Sequence, residues 1–132
     1  MNTKPENFLL KKDLSDFLQI ILEEEKIKFK VNIEVINAQR GTSKKRYDFY
    51  KITIPSWAKK YGLNYCLAYL IHELNHCIVG YNHNHDKIFK KNEKKLLKKY
   101  INAYEFIYHN RTYLKEVKTM NGQTLFKLPD QF

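Results

Sequence analysis

The spacing of apolar positions changes along the chain, and each change marks an expected element. Leu10, Leu14, Phe17, Leu18 and Ile21 recur at helical spacing, so residues 3–25 predict an amphipathic helix with one buried face. Thr3-Lys4-Pro5-Glu6 has the form of a capping box, with proline in the first turn where it is tolerated. From Ile27 the period drops to two. Ile27, Phe29, Val31, Ile33 and Val35 alternate with Lys28, Lys30, Asn32 and Glu34, the pattern of a half-buried strand. Arg40-Gly41-Thr42-Ser43 supplies turn chemistry and Lys44-Lys45-Arg46 a basic tip. Tyr47 to Ile54 then returns as a second strand that stops at Pro55. The expected unit is an antiparallel hairpin over residues 27–54.

Beyond Pro55, Ser56 is placed to cap a short helix beginning near Trp57, which Gly62-Leu63-Asn64 interrupts. The next helix begins near Asn64. Its first two turns, Tyr65 to Ile71, are apolar almost all round, as in a helix buried at a domain centre. Gly80 suits its C-terminus, because glycine accepts the left-handed conformation that ends many helices. Tyr81 to Asn84 form a spacer. A third helix runs from about His85 to Ile101, and the pattern extends toward Tyr108. Phe89, Leu96, Leu97, Tyr100 and Ile101 mark its buried side, while Lys87, Lys90, Lys91, Lys94, Lys95, Lys98 and Lys99 cover the remainder. The segment 56–108 thus holds the helices. Residues 113–128 read as a closing hairpin, with Tyr113–Lys118 and Thr124–Leu128 flanking Asn121-Gly122, a strong hairpin dipeptide. Together these predict one α+β domain over residues 1–132, a small antiparallel sheet packed on a central helix with flanking helices.

Composition narrows the class. No apolar stretch reaches the length of a membrane span and the amino terminus lacks an apolar signal region, so a cytoplasmic location and no membrane partner are expected. Cys66 and Cys77 lie on one predicted helix, about 16 Å apart along its axis, far beyond disulfide reach. Free thiols suit a reducing compartment. Twenty-four basic against fourteen acidic residues give a formal charge of +10. That balance favours polyanionic partners, nucleic acid above all, while a lysine run also serves as a plain solvated helix face.

The chemistry is concentrated in one place. His72-Glu73-Leu74-Asn75-His76 is an H-E-x-x-H on the most apolar helix of the chain. Helical spacing puts both imidazoles on one face a turn apart, where they can hold a zinc ion. Glu73 stands beside the first ligand, within reach of a water in the position that a three-ligand site leaves open. Four of the five histidines fall between His72 and His85, so His83 and His85 both compete for the third ligand. His109 is far away in sequence and reads as a surface residue.

These residues resemble the SprT-like zinc metallopeptidases, a group that includes the Spartan and WLM proteases and the smaller YgjP-like proteins. The likeness rests on His72-Glu-Leu-Asn-His76, a short glycine-containing spacer, and His85-Asp86-Lys87-Ile88-Phe89, with an aromatic three residues beyond Asp86. It implies a minimal zincin fold, His72, His76 and His85 as metal ligands, one zinc per chain and Glu73 as general base. A metzincin pattern would place its glycine and third histidine on Val79 and Asn82. A gluzincin would draw its acidic ligand from downstream, where Glu93 is nearest. The group often appends a cysteine-bearing zinc ribbon, and this chain has none.

The expected function is zinc-dependent hydrolysis of a peptide bond in a protein substrate, with an extended peptide pairing along a sheet edge. Tyr81, Tyr108 and Tyr113 are candidates by residue type for oxyanion stabilisation. Two other classes fit the same residues. One is a non-catalytic nucleic-acid-binding module braced by a structural zinc. The other is a dedicated processing protease for one partner protein. Non-specific nucleic-acid contact along residues 87–99 is compatible with any of the three.

Overall fold

The computed structural model describes residues 5–103, with side chains from Leu10 onward, and the backbone of four short strands between 108 and 126. Helix α1 spans Pro5–Glu24 and buries Leu10, Leu14, Leu18 and Ile21, the face that helical spacing predicts. Thr3 and Lys4 of the capping box lie outside the described residues.

The sheet departs from the expected hairpin. Three strands are present, β1 (Val31–Ile36), β2 (Thr42–Lys45) and β3 (Tyr50–Pro55), in the order β1-β3-β2. β1 runs parallel to β3, with Val31 opposite Tyr50 and Val35 opposite Ile54. β2 runs antiparallel to β3, with Thr42 opposite Thr53 and Lys45 opposite Tyr50. The sheet is therefore mixed, and the antiparallel expectation holds only for its β2–β3 half. The residues read as a turn, Thr42 and Ser43, begin the edge strand, and the hairpin turn lies at Arg46–Phe49, where the Arg46 N–H donates to the Phe49 carbonyl at 2.7 Å. An edge strand has one ladder and one open side, so Thr-Ser-Lys-Lys serves there without apolar alternation, and its lysines discourage further pairing. Ile27 and Phe29 precede the ladder, although the Phe29 ring still packs on Tyr50, with centroids 4.6 Å apart.

β3 is the central strand, with Ile52, Thr53 and Ile54 all buried. It leads into a 3-10 helix, Ser56–Tyr61, whose N-cap position is Pro55 and which has no side-chain cap, so the capping role expected of Ser56 is not met. Helix α2 (Leu63–Val79) follows after Gly62, and neither Gly62 nor Asn64 caps it through a side chain. Every residue from Tyr65 to Asn75 is buried, so the helix is enclosed on all sides. α1 packs along β1, α2 along β2 and β3, and all contribute to one core with Ile33, Val35, Ile52 and Ile54. Both cysteines are on α2, buried and free.

Gly41 fixes how closely the chain entering β2 approaches α2. Its N–H donates to the Tyr69 hydroxyl at 2.6 Å. A Cβ at this position would overlap the Tyr69 ring and the Thr53 carbonyl. The absent side chain is what lets the edge strand lie against the central helix.

Helix α3 (Lys87–Ile101) stops at Asn102, which takes the left-handed conformation with φ 55°. Its C-terminal end is tied to the end of α1, because Lys99 and the Tyr100 hydroxyl both reach the Glu25 carboxylate at 2.7 Å. Beyond it, β4 (Tyr108–His109) pairs antiparallel with β5 (Tyr113–Leu114), and β6 (Val117–Lys118) with β7 (Thr124–Phe126). The expected closing hairpin is thus met in its second half, while Tyr113 and Leu114 turn to a different partner. The Asn121-Gly122 turn lies outside the described residues. No helix among the described residues is long and apolar enough to cross a membrane.

Candidate metal centre

The centre is built where α2 emerges from the core. His72 and Glu73 are within its buried run, and His76, one turn on, is half-buried. Gly80 ends the helix with φ 97°, a left-handed value that glycine tolerates without strain. The chain then turns through Tyr81–His85. His85 itself has φ 59°, a conformation costing a residue with a Cβ about 1–2 kcal/mol. That turn aims its ring back at α2. Asp86 then caps α3, one carboxylate oxygen accepting from the Phe89 N–H at 2.9 Å and the other from His83 Nδ1 at 2.8 Å.

His72, His76 and His85 converge. One ring nitrogen from each lies within 4.8 Å of the other two, so the set could hold a metal ion. The ring centroids are 5.0–5.1 Å apart. His72 Nε2 and His85 Nε2 face each other at 3.2 Å. A tetrahedral ion with bonds of about 2.0–2.1 Å to nitrogen needs its ligand atoms roughly 3.3 Å apart. The donors fit such an ion in type, and the His72–His85 pair fits it in spacing. Phe89, fully buried, packs its ring against all three imidazoles at 4.5–5.2 Å.

Behind this layer, His72 Nδ1 and a Glu93 carboxylate oxygen are 2.6 Å apart, both residues buried. A carboxylate only accepts, so Nδ1–H is the donor and the Nε2 lone pair is left to face the cluster. Burial pushes the His72 imidazolium down, but the hydrogen bond and charge of Glu93, with the charge of Glu73, outweigh it and raise its pKa. For His76, burial and the charges of His72 and His85 push the pKa down to about 4, which keeps that imidazole neutral and ready as a ligand. Burial pushes the Glu73 carboxyl up to about 7, with His72 and Arg40 pulling the other way. A divalent cation beside it would lower that value.

Asn75, also buried, ties the two helices together. Its Nδ2 donates to the Phe89 carbonyl at 2.8 Å and its Oδ1 accepts from Asn92. On the other flank, Ser43 of the edge strand hydrogen-bonds Cys77 at 3.1 Å and Tyr81 at 3.0 Å, so β2 lies beside the metal-facing end of α2.

Of the residues singled out from sequence, His72, His76 and His85 are brought together with Glu73 alongside. His83 is engaged by Asp86 and stays outside the cluster. Glu93, weighed as an acidic ligand, instead holds His72 from behind. Tyr81 sits with Ser43 and Cys77, and the side chains of Tyr108, Tyr113 and His109 lie outside the described residues. The orienting role of Glu93 and the bracing role of Asn75 were missed. A signal for Glu93 was present: it is the one acid on the Phe89, Leu96, Leu97 face of α3, and a buried carboxylate demands a partner.

Compared with known protein families, with curated proteins and with solved structures, the chain matches none.

Proposed function

We propose that this chain is a zinc-dependent metallopeptidase of the SprT-like kind, cleaving a peptide bond in a protein substrate. The observation that carries the reading is the convergence of His72, His76 and His85 with a buried glutamate next in sequence to the first of them. When bound, zinc would supply Lewis acidity toward a carbonyl and a lowered pKa for water. Glu73 takes a proton from the attacking water and returns it to the leaving amine. Glu93 holds the His72 ring in the tautomer that presents Nε2. Among the described residues β2 is an edge strand, whose outer backbone groups would suit an extended peptide, and Ser43 on that strand touches Cys77, next to His76.

A structural zinc in a binding module is the competing reading. Structural sites close the ion with four protein ligands, and catalytic sites leave one position open. Glu73, buried beside the first histidine, favours catalysis, since a purely structural site has no use for a base there. The deciding experiment loads wild type and Glu73→Gln with zinc and follows cleavage of a panel of unfolded proteins. Equal zinc content and equal melting, with hydrolysis lost in the variant, is the expected result. Full turnover by the variant would remove Glu73 from the mechanism.

A further inference from the structure

The two edges of the sheet have different surroundings. β2 lies beside the metal-facing end of α2, whereas β1, at the opposite edge, pairs with β3 alone among the described residues. The ladder fixes which backbone groups that pairing uses. The Tyr50 N–H donates to the Lys30 carbonyl at 2.8 Å, and Val31 stands opposite Tyr50. Bonded residues alternate along a parallel ladder, so Lys30, Asn32 and Glu34 turn their backbone groups to β3. Val31 and Ile33 turn theirs to the outer edge.

That edge opens onto a trough. One hollow meets all of residues 31–34 together with Leu18 and Leu22 of α1 and Phe49. Successive strand side chains point to opposite faces. A hollow touching four consecutive residues of β1 therefore lies across its edge, and β3 fills the other one. A second hollow shares Leu22, Val31 and Asn32 and continues along residues 26–30. The floor is apolar, from Leu18, Leu22 and Phe49, while the rim is basic. Five lysines, Lys11, Lys26, Lys28, Lys30 and Lys51, stand in the two linings against Glu23 and Glu34. Lys51 is held by Glu34 at 2.8 Å, and the other four lysines are exposed.

We infer that the outer edge of β1 is a docking site for an extended acidic peptide, which adds to the sheet as a further strand. Main-chain pairing at an edge accepts any extended chain, and side chains set the choice. Here the lysine excess selects a segment rich in aspartate and glutamate. It also repels a second copy of this chain, whose formal charge is +10. Floor and rim lie on opposite faces of the added strand, so the preferred segment alternates apolar with acidic residues. The site is at the far edge of the sheet from β2, so it recruits a partner rather than presenting a bond for cleavage. The inference stands independently of peptide hydrolysis.

The test is fluorescence anisotropy of the full chain with a short labelled peptide of alternating glutamate and valine, and with the same peptide N-methylated throughout. One variant carries Lys11→Gln, Lys28→Gln and Lys30→Gln. A charge-matched control carries Lys44→Gln, Lys45→Gln and Arg46→Gln, all exposed at the other edge. Circular dichroism confirms folding of each. Wild type is expected to bind the unmethylated peptide, and bound peptide to protect the Val31 and Ile33 amides from hydrogen exchange. Loss of three exposed charge pairs should weaken binding about tenfold in the β1 variant and little in the control. N-methylation, which removes the donors for main-chain pairing, should abolish it. Absence of wild-type binding at low salt would overturn the inference, as would equal binding of the methylated peptide. Equal losses in the two variants, or Val31 and Ile33 amides left unprotected, would place the peptide elsewhere. A short DNA duplex losing as much affinity as the peptide in the β1 variant would also sink the idea, by reducing the rim to a general polyanion surface.

Discussion

Replacing Glu93 by glutamine isolates the contribution of a residue that does not itself touch the metal cluster. Glutamine keeps the volume in a pocket where Glu93 is 8% exposed, and its Oε1 can still accept from His72 Nδ1–H. What disappears is the negative charge behind the ring. The 2.6 Å contact between buried partners is a charge-assisted hydrogen bond, of a kind that contributes about 1.5–3 kcal/mol. Removing such outer partners of a histidine ligand weakens metal binding by about 10–100-fold. The assay is competitive zinc titration against a chromophoric chelator at pH 8, where proton competition at the histidines is slight, with circular dichroism to verify the helices. Glu93→Ala should lose more, because it removes the acceptor as well as the charge and leaves a cavity on the buried face of α3. Zinc affinity in Glu93→Gln equal to wild type would reduce Glu93 to a packed polar residue and refute the orienting role.

Three further outcomes follow from the geometry. His85→Ala should lower zinc affinity by several orders of magnitude and His83→Ala by less than about tenfold, as read by the same titration, because His83 is held by Asp86 at 2.8 Å; loss of a ligand is far costlier than loss of an outer partner. Gly41→Ala should lower stability in urea unfolding by about 1–3 kcal/mol, the usual cost of overpacking, since its Cβ would overlap the Tyr69 ring and the Thr53 carbonyl; an unchanged midpoint would show that the edge strand gives way freely. The hydrogen bonds from Lys99 and Tyr100 hold the Glu25 carboxyl below its ordinary pKa, so its contribution to stability is complete above the unfolded-state value and is lost as pH falls through the lower folded-state value. Glu25→Gln should therefore destabilise at pH 7 and match wild type near pH 2, measured by chemical denaturation at each pH.

Legibility from sequence followed the strength of local pattern. α1 and α2 were readable because Leu10, Leu14, Leu18 and Ile21, then Tyr65 to Ile71, carry unmistakable apolar spacing, and Gly80 stops α2 as its freedom at positive φ allows. The triad was readable through helical spacing for His72 and His76. For His85 it took resemblance, since nothing local announces a left-handed histidine. β2 was invisible because an edge strand of Thr-Ser-Lys-Lys satisfies one ladder and faces water, so it reads as loop. The parallel pairing of β1 with β3 was missed through that omission: with β2 unseen, two consecutive strands default to a hairpin. Glu93 was hidden by its neighbours. In a run of lysines its charge reads as surface, and only the position shared with Phe89 and Leu97 gives it away.

The attachment of α3 to α2 connects these observations. The C-terminal half of α3 is held by Leu96 and Leu97, fully buried in the common core, and by the tie to Glu25. Its N-terminal half offers Phe89 alone as a buried apolar anchor. There the helices are joined by polar contacts instead: Asn75 to the Phe89 carbonyl, Asn92 to Asn75, and Glu93 to His72. Such contacts are directional, so they fix the register of α3 against α2 more sharply than apolar packing alone. His85 stands immediately before the Asp86 cap of α3, and its place opposite His72 is set by that register. The same contacts that compensate a weakly apolar interface therefore position the third imidazole. An ion shared by His72, His76 and His85 would add one more directional link across the interface, coupling metal occupancy to the docking of α3.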